Sequence, residues 1–109
     1  MVTPVTDIVP DSPLPPIVIT TTTNSILLSW FAPNNTGGLT ITRYELYVTN
    51  VTNIWKLAYN GTLLSYNVTS LSTGIYKFQL IACNSLGCSG YSALTIASTS
   101  TPEIPPTIN

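Results

Sequence analysis

The sequence predicts an all-β protein built around one hydrophobic core. Apolar and polar residues alternate with a period of two through the middle of the chain, and turn-forming residues recur at short intervals. No stretch shows the periodicity of about 3.6 residues that is typical of a helix. Of the 109 residues, 44% are hydrophobic, which is enough for one core, and the chain is too short for two. We therefore expect one sandwich or small barrel.

The first two strands with a clear pattern are SILLSW, residues 25–30, and ITRYELYV, residues 41–48. In each strand every second side chain is apolar and faces the same side of the sheet. The segment APNNTGG between them has the composition of a loop. The alternation predicts that one side of each strand faces the core, and the inward residues are Ile26, Leu28 and Trp30 in the first strand and Tyr44, Leu46 and Val48 in the second.

The next two strands, IWKLAY and LLSYNV, flank Asn60 and Gly61. Asn-Gly is a strong signal for a tight β-hairpin turn, so we expect these strands to pair through it. The strand YKFQLIACN, residues 76–84, places Tyr76, Phe78, Leu80 and Ala82 inward, with Lys77, Gln79 and Ile81 outward. The segment YSALTIAS, residues 91–98, supplies the last strand.

Both ends of the chain have the composition of linkers, so we divide it into a tail (1–12), a domain (13–101) and a second tail (102–109). Proline-rich stretches such as VPDSPLPP and STSTPEIPPTIN favour extended backbone. The segments SPLPPIVI and PEIPPTIN also resemble each other, which favours one unit of a tandem array. The alternative is that short proline-rich linkers all look alike.

Charge and titratable groups argue against several classes of function. Only 6% of the residues are charged and the net charge is -1, so the basic surface on which nucleic-acid binding depends is missing. The apolar runs are strand-sized, which argues against membrane insertion. The chain has no histidine, and Glu45 is the only carboxylate between the tails, so we expect no enzyme activity and no cofactor.

The strands together resemble the fibronectin type III domain over about residues 13–101. The matching parts are a proline-flanked first strand, Trp30 followed by Pro33, the ITRYELY strand, and Leu71 ahead of a tyrosine. The most specific part is YKFQLIACNSLGCS, which is similar to the run of the family's sixth strand. The resemblance implies an antiparallel β-sandwich of seven strands in two sheets. It also implies that the hydroxyl of Tyr76 ties a loop back to the backbone in a tyrosine corner.

The same resemblance places Cys83 at the end of the sixth strand and Cys88 at the start of the seventh, across a tight turn. It therefore implies a disulfide, which in turn implies an oxidising compartment. Two free thiols and a redox-active pair are the alternatives. A zinc site needs about four ligands, and this chain has no histidine and no third cysteine, so we expect no metal.

Four Asn-x-Ser/Thr triplets are acceptor sites for N-linked glycans, and we expect sugar on them: Asn34, Asn50, Asn60 and Asn67. About two such triplets arise by chance in a chain of this composition, which is the competing explanation. Asn34 lies in a predicted loop, Asn50 ends a strand, Asn60 lies in the predicted turn and Asn67 points outward. Glycans at these positions also explain how a chain with few charges stays in solution.

The outward residues of two strands form a candidate contact face, because they combine most of the charge of the domain with apolar side chains: Arg43, Glu45, Tyr47, Lys77, Gln79 and Ile81. We expect Glu45 to pair with Lys77 across adjacent strands. Trp55 is also assigned to this candidate face. It either closes one edge of the core or lies half-exposed and stacks on a sugar ring or a neighbouring subunit.

The expected function is a structural or adhesive building block of an extracellular or cell-surface glycoprotein. Its expected partners are copies of itself or neighbouring domains of the same chain, docked through tails that carry Val2, Val5, Ile8, Ile104 and Ile108. The alternatives are an accessory module of a secreted carbohydrate-processing enzyme and a ligand-binding segment of a receptor ectodomain.

Overall fold

The structure, a computed structural model, describes residues 6–101, and the expected all-β class is confirmed. Across this range the backbone forms no helix, and none is therefore available to cross a membrane. The strands are β1 (Ile17–Thr21), β2 (Ile26–Ser29), β3 (Arg43–Thr49), β4 (Lys56–Gly61), β5 (Ser65–Val68), β6 (Ile75–Asn84), β7 (Gly87–Cys88) and β8 (Thr95–Ser98).

The strands form two antiparallel sheets. One sheet has the order β1-β2-β5, and the other has the order β4-β3-β6, with β7 and β8 both paired to the far side of β6. Strand β3 lies centrally in the larger sheet and pairs with β6 over seven residues, from Arg43 opposite Cys83 to Thr49 opposite Lys77. The two sheets pack face to face, as expected of the sandwich.

The predicted count of seven strands is wrong, because the last strand is divided into β7 and β8. Between them the chain stays beside β6, since the amides of Ser89 and Ser92 donate to the carbonyls of Ala82 and Leu80. In the other direction, from β6 to this segment, the acceptors are side chains. The amides of Leu80 and Ala82 donate to the hydroxyls of Ser92 and Ser89, each at 3.0 Å. Side-chain hydroxyls thus replace backbone carbonyls, and the regular ladder is interrupted.

The inward residues predicted from alternation form the core. Ile26, Leu28, Leu46, Phe78 and Leu80 are all fully buried. Because strand neighbours point to opposite faces, these residues come from one side of each strand and fill the space between the sheets. Burial of large apolar side chains is the main favourable contribution to the stability of such a fold.

Aromatic rings fill one end of the core around Trp30. Its ring centroid lies 6.1 Å from that of Tyr44 and 5.9 Å from that of Tyr59. Tyr59 in turn stacks on Tyr66, with centroids 4.8 Å apart, which connects the two sheets. The indole N–H of Trp30 is buried and has no hydrogen-bond acceptor among the described residues, so apolar packing alone holds this side chain.

The hairpin predicted at Asn60-Gly61 is wrong. These two residues end β4, where they lie opposite Glu45 and Tyr44 of β3. The chain then crosses to the other sheet, and β5 pairs with β2 instead of β4. In the crossover the amide of Leu63 donates to the hydroxyl of Tyr59 at 2.9 Å. The local turn preference is therefore overridden by pairing with β3.

The predicted tyrosine corner is present, since the hydroxyl of Tyr76 donates to the carbonyl of Ser72 at 2.7 Å. This bond fixes the loop that joins β5 to β6. The chain after β8 also bonds to the chain after β1, since the amide of Ser100 donates to the carbonyl of Thr22 at 2.7 Å.

The described part of the N-terminal tail, residues 6–12, lies along its own domain. The amide of Ile8 donates to the carbonyl of Gly37, and the amide of Asp11 donates to the carbonyl of Asn35, each at 3.0 Å. Ile8 itself is half-exposed. The other apolar tail residues, Val2, Val5, Ile104 and Ile108, lie outside the described residues.

Candidate contact face

The outward side of the larger sheet brings most of the predicted contact residues together. Glu45 on β3 lies opposite Ile81 on β6, and Tyr47 lies opposite Gln79. Because residues paired across antiparallel strands point to the same side, these side chains form one continuous surface, completed at its ends by Arg43 and Lys77.

Glu45 lies at the centre of the hydrogen bonds on this face. The hydroxyl of Tyr47 donates to Oε1 at 2.6 Å, and Nε of Arg43 donates to Oε2 at 2.8 Å. The hydrogen bond from Tyr47, followed by that from Arg43, lowers the pKa of Glu45 below its ordinary value. The same bond acts oppositely on the phenol, and it raises the pKa of Tyr47 to about 12. The carboxylate is therefore held charged by two neighbours on its own strand.

The expected pair between Glu45 and Lys77 is wrong. Lys77 lies opposite Thr49 at the end of β3, and its ammonium group donates to Oδ1 of Asn53 at 3.3 Å. Arg43 is two residues from Glu45 on the same side of β3, and its guanidinium reaches the carboxylate without crossing strands. Register, which the sequence pattern does not specify, decides between the two cations.

Ile81 was expected to be exposed, and it is buried instead, with only 8% of its surface accessible. The segment between β7 and β8 follows β6 past this residue and places Tyr91 above the sheet. The rings of Tyr91 and Tyr47 meet edge to face with centroids 5.7 Å apart. Tyr91, which is 56% exposed, thus becomes a surface residue of the face in place of Ile81.

Sequence reasoning missed three further residues of this face. The sequence pattern predicts Tyr91 only as the start of the last strand. Asn60 and Leu57 lie on β4 opposite Glu45 and Tyr47, so both belong to the same surface. Leu57 is half-exposed. Its place in the alternation of β4 is shifted because Leu46 lies opposite Tyr59 and Tyr47 lies opposite Leu57, which leaves Ala58 of β4 as an extra residue.

Trp55 lies just before β4 and is 37% exposed, so it does not belong to the buried core. The structure therefore agrees with the half-exposed alternative and not with the one in which Trp55 closes an edge of the core. Ile54 and Val51, in the connection between β3 and β4, are exposed as well. Together with Trp55 they make this connection an apolar projection at one end of the sheet.

The cysteines lie at the opposite end of the face. Cys83 on β6 and Cys88 on β7 are opposite each other and are joined in a disulfide. The guanidinium of Arg43 donates to the sulfur of Cys88 at 3.2 Å. Glu45 and the two sulfurs lie within 4.8 Å of one another, but bonded sulfurs present no thiolate to a metal ion. The disulfide therefore acts as a covalent closure of the β6–β7 hairpin.

The four candidate glycan acceptors are all exposed: Asn34, Asn50, Asn60 and Asn67. Asn34 lies between β2 and β3, and Asn50 directly follows β3. Asn67 lies on β5 opposite Leu27 and points away from the core, as expected. Asn60, expected in a turn, lies on a strand within the contact face. No side chain of the four enters the core.

A cleft of about 360 Å³ opens beside the connection between β3 and β4. Its lining includes Val48, Leu71 and Tyr76, and Lys56 is the one charged residue among those that line it. No carboxylate lies beside Lys56 in this lining, so the cleft lacks the acid and base pair that proton transfer requires. None of the predicted contact-face residues line this cleft.

Comparison with known proteins identifies related domains. The family model described as "Fibronectin type III domain" matches residues 11–98. A mouse protein, fibronectin type III domain containing protein 3C1, is 33% identical over 99 residues, which cover 88% of this chain and 7% of that protein. Human usherin is 34% identical over 84 residues, covering 76% of this chain and 1% of usherin.

Among solved structures, the solution structure of the fibronectin type III domain of human fibronectin type III domain containing protein 3 superimposes with a TM-score of 0.78. It is 29% identical, and the match covers 89% of this chain and 92% of that one. The chain therefore has the size of one such domain and spans only a small part of the curated relatives that it matches.

Proposed function

The chain belongs to the fibronectin type III family, and on that premise we propose that it is a non-enzymatic structural module of an extracellular glycoprotein, joined to neighbouring domains. The proposal rests on the share of each protein that the matches cover. The matches cover 88% and 76% of this chain but 7% or less of the two curated relatives, in which such a domain is one unit of a much longer protein.

The chemistry of the domain supports a role without catalysis. The family is generally non-catalytic, and the sequence contains no histidine. Glu45 is the one carboxylate between the predicted tails, and both of its oxygens already accept hydrogen bonds, from Tyr47 and Arg43. A carboxylate held in this way at a lowered pKa is a poor general base near neutral pH.

Three features support an extracellular setting. The disulfide between Cys83 and Cys88 is typical of oxidising compartments. The four acceptor asparagines are exposed and outward-facing, so each has room for a glycan. Only 6% of the residues are charged, and glycans supply the hydration that such a surface lacks.

The contact face supports a role in association. It combines the ion pair of Arg43 and Glu45 with the exposed aromatic ring of Tyr91 and the half-exposed Leu57. Aromatic residues and arginine are enriched where proteins meet, and surrounding polar groups give orientation. We assign this face to a neighbouring domain or to a second copy of the chain.

The test is peptide mass spectrometry of the protein from its native source. Peptides covering Asn34, Asn50, Asn60 and Asn67 are compared before and after enzymatic deglycosylation, and the cysteine-containing peptide is compared before and after reduction. We expect glycans on at least two of the asparagines and a disulfide in the unreduced sample. Sugar-free peptides at all four positions together with free thiols would overturn the extracellular assignment and leave the module assignment standing.

A further inference from the structure

The N-terminal segment, residues 6–12, is held by the hairpin that the disulfide closes. The side-chain amide of Asn84, the first residue after Cys83, donates to the carbonyl of Ile8 at 2.7 Å and to the carbonyl of Thr36 at 3.0 Å. The side-chain oxygen of Asn84 accepts from the amide of Leu86 at 2.9 Å. One buried side chain thus joins three segments: the N-terminal segment, the connection between β2 and β3, and the hairpin.

Glycines let these three segments approach each other closely. Gly37 has a φ of 81°, and a Cβ at this position would overlap the carbonyl of Ile8. A Cβ at Gly87, inside the hairpin, would lie 3.1 Å from a methyl group of Val9. Glycine at position 37 therefore permits a contact that a larger residue would block, and glycine at position 87 permits close packing against Val9.

The disulfide stands at the base of this hairpin. Asn84 lies directly after Cys83 and opposite Gly87, which precedes Cys88. Strand β7 is only two residues long, so few backbone hydrogen bonds hold the tip of the hairpin without the covalent bond. The position of Asn84, and with it the two bonds that Asn84 donates, depends on how firmly that tip is held.

We propose that the Cys83–Cys88 hairpin is a thiol-sensitive latch: the disulfide holds Asn84 in place to bind residues 6–12, and its reduction releases them. The reductant is a dithiol. One of its thiolates attacks the sulfur of Cys88, which is more exposed than Cys83, and displaces Cys83 as a thiolate. The second thiol of the reductant then displaces Cys88. Two electrons and two protons pass to the protein, which gains two thiols, and the dithiol becomes a disulfide.

In the tandem arrangement proposed above, the latch would fix the direction in which the chain enters the domain. The proposal itself concerns residues 6–12 and the hairpin of this chain alone. Its test therefore succeeds or fails independently of the proposed function.

The test is amide hydrogen exchange, followed by NMR on the uniformly ¹⁵N-labelled 109-residue chain. The reporters are the amides of Ile8 and Asp11, which donate to Gly37 and Asn35. We expect excess dithiothreitol to accelerate their exchange about tenfold, the effect of losing the hydrogen bonds of Asn84. The amide of Ser92, which donates to Leu80 in the sheet, should keep its protection and so report that the domain stays folded.

Two variants complete the experiment. Asn84→Ala should accelerate exchange at Ile8 and Asp11 to a similar extent without reductant, because it removes both donors directly. The matched control is Ser85→Ala, an exposed position in the same hairpin, which should leave exchange unchanged. If Asn84→Ala fails to fold, the reduced wild-type protein carries the test. Unchanged exchange at Ile8 and Asp11 on reduction, with Ser92 protected, would overturn the proposal.

Discussion

Glu45 and Asn60 lie directly opposite each other on β3 and β4, and both side chains are on the outward side of the larger sheet. Glu45, which accepts the hydrogen bonds of the contact face, thus lies beside Asn60, a candidate glycan acceptor. A glycan on Asn60 would cover the surface on which a protein partner is proposed to dock. Occupancy of this one asparagine therefore decides whether the face is available.

We predict that a glycan on Asn60 shields the aromatic residues of the face. The ring of Tyr91 lies 5.7 Å from that of Tyr47 on β3, the strand that pairs with Asn60, and is therefore within reach of a bulky N-linked sugar. Acylation of the Tyr91 hydroxyl by N-acetylimidazole should be slower in glycosylated protein from a secreting eukaryotic host than in the Asn60→Gln variant. Asn34→Gln is the control and should not change the rate, because Asn34 lies between β2 and β3. Equal rates in all three proteins would show that Asn60 leaves the face open.

We predict that Tyr47→Phe destabilises the domain by about 1 kcal/mol near neutral pH, since it removes the hydrogen bond to Glu45. The folded pKa of Glu45 is lowered, so its contribution is present above the ordinary value of 4.5 and is lost as the pH falls through the lower folded value. The difference between variant and wild type should therefore shrink in strong acid. Urea unfolding at several pH values measures both quantities.

The control for this substitution is Tyr91→Phe, which keeps the edge-to-face ring contact with Tyr47 and should change stability by only a few tenths of a kcal/mol. In wild type, alkaline titration should show the phenol of Tyr47 ionising at about 12. Its contribution to stability is present below the ordinary value of 10.0 and is lost as the pH rises through the folded value. A destabilisation by Tyr47→Phe that is constant with pH would contradict this account.

We predict that Tyr76→Phe costs about 1 kcal/mol, because it deletes the hydroxyl that donates to Ser72 and leaves a carbonyl in the β5–β6 loop without this partner. The ring of Tyr76 stays buried in either protein. The matched control is Tyr66→Phe, which retains the stacking of that ring on Tyr59. Chemical denaturation should show a lower midpoint with unchanged slope for Tyr76→Phe alone. Equal midpoints for the two variants would show that the corner bond contributes nothing.

The core and the strand faces were predictable because alternation is a property of the strand itself. Leu28, Leu46 and Leu80 lie inward for the reason that was read from the sequence: each occupies an apolar position in a period of two. The tyrosine corner was predictable in another way, from resemblance to a family in which Tyr76 has a known place. Both inferences depend on residues close together in the chain.

The errors depend on contacts between distant residues. Asn60-Gly61 has the local chemistry of a hairpin turn, but β4 extends through it because Asn60 pairs with Glu45. Ile81 points outward as the alternation requires, but the segment that carries Tyr91 passes alongside it. The disulfide partners were predictable, whereas the role of Asn84 was not, since its acceptors Ile8 and Thr36 lie far away in sequence.

The last prediction concerns association through the tails, with residues 6–12 bound to their own domain. Residues 1–5 and 102–109 then carry the apolar side chains for a neighbouring copy: Val2, Val5, Ile104 and Ile108. Docking of one end on the other end of the next copy does not close on itself, so linear arrays are the expected product. Because the net charge is only -1, salt should change the association little.

Deletions separate this association from the internal docking of the N-terminal segment. Removing residues 1–5 or 102–109 should convert arrays of the 109-residue chain into monomers in light scattering and electron microscopy, while the amides of Ile8 and Asp11 stay protected. Removing residues 1–12 should abolish association as well, and it also deletes Ile8, one of the two acceptors of Asn84, so stability should fall by about 1 kcal/mol or more. A 109-residue chain that remains monomeric at high concentration would contradict assembly through the tails and leave neighbouring domains of the same chain as the partners.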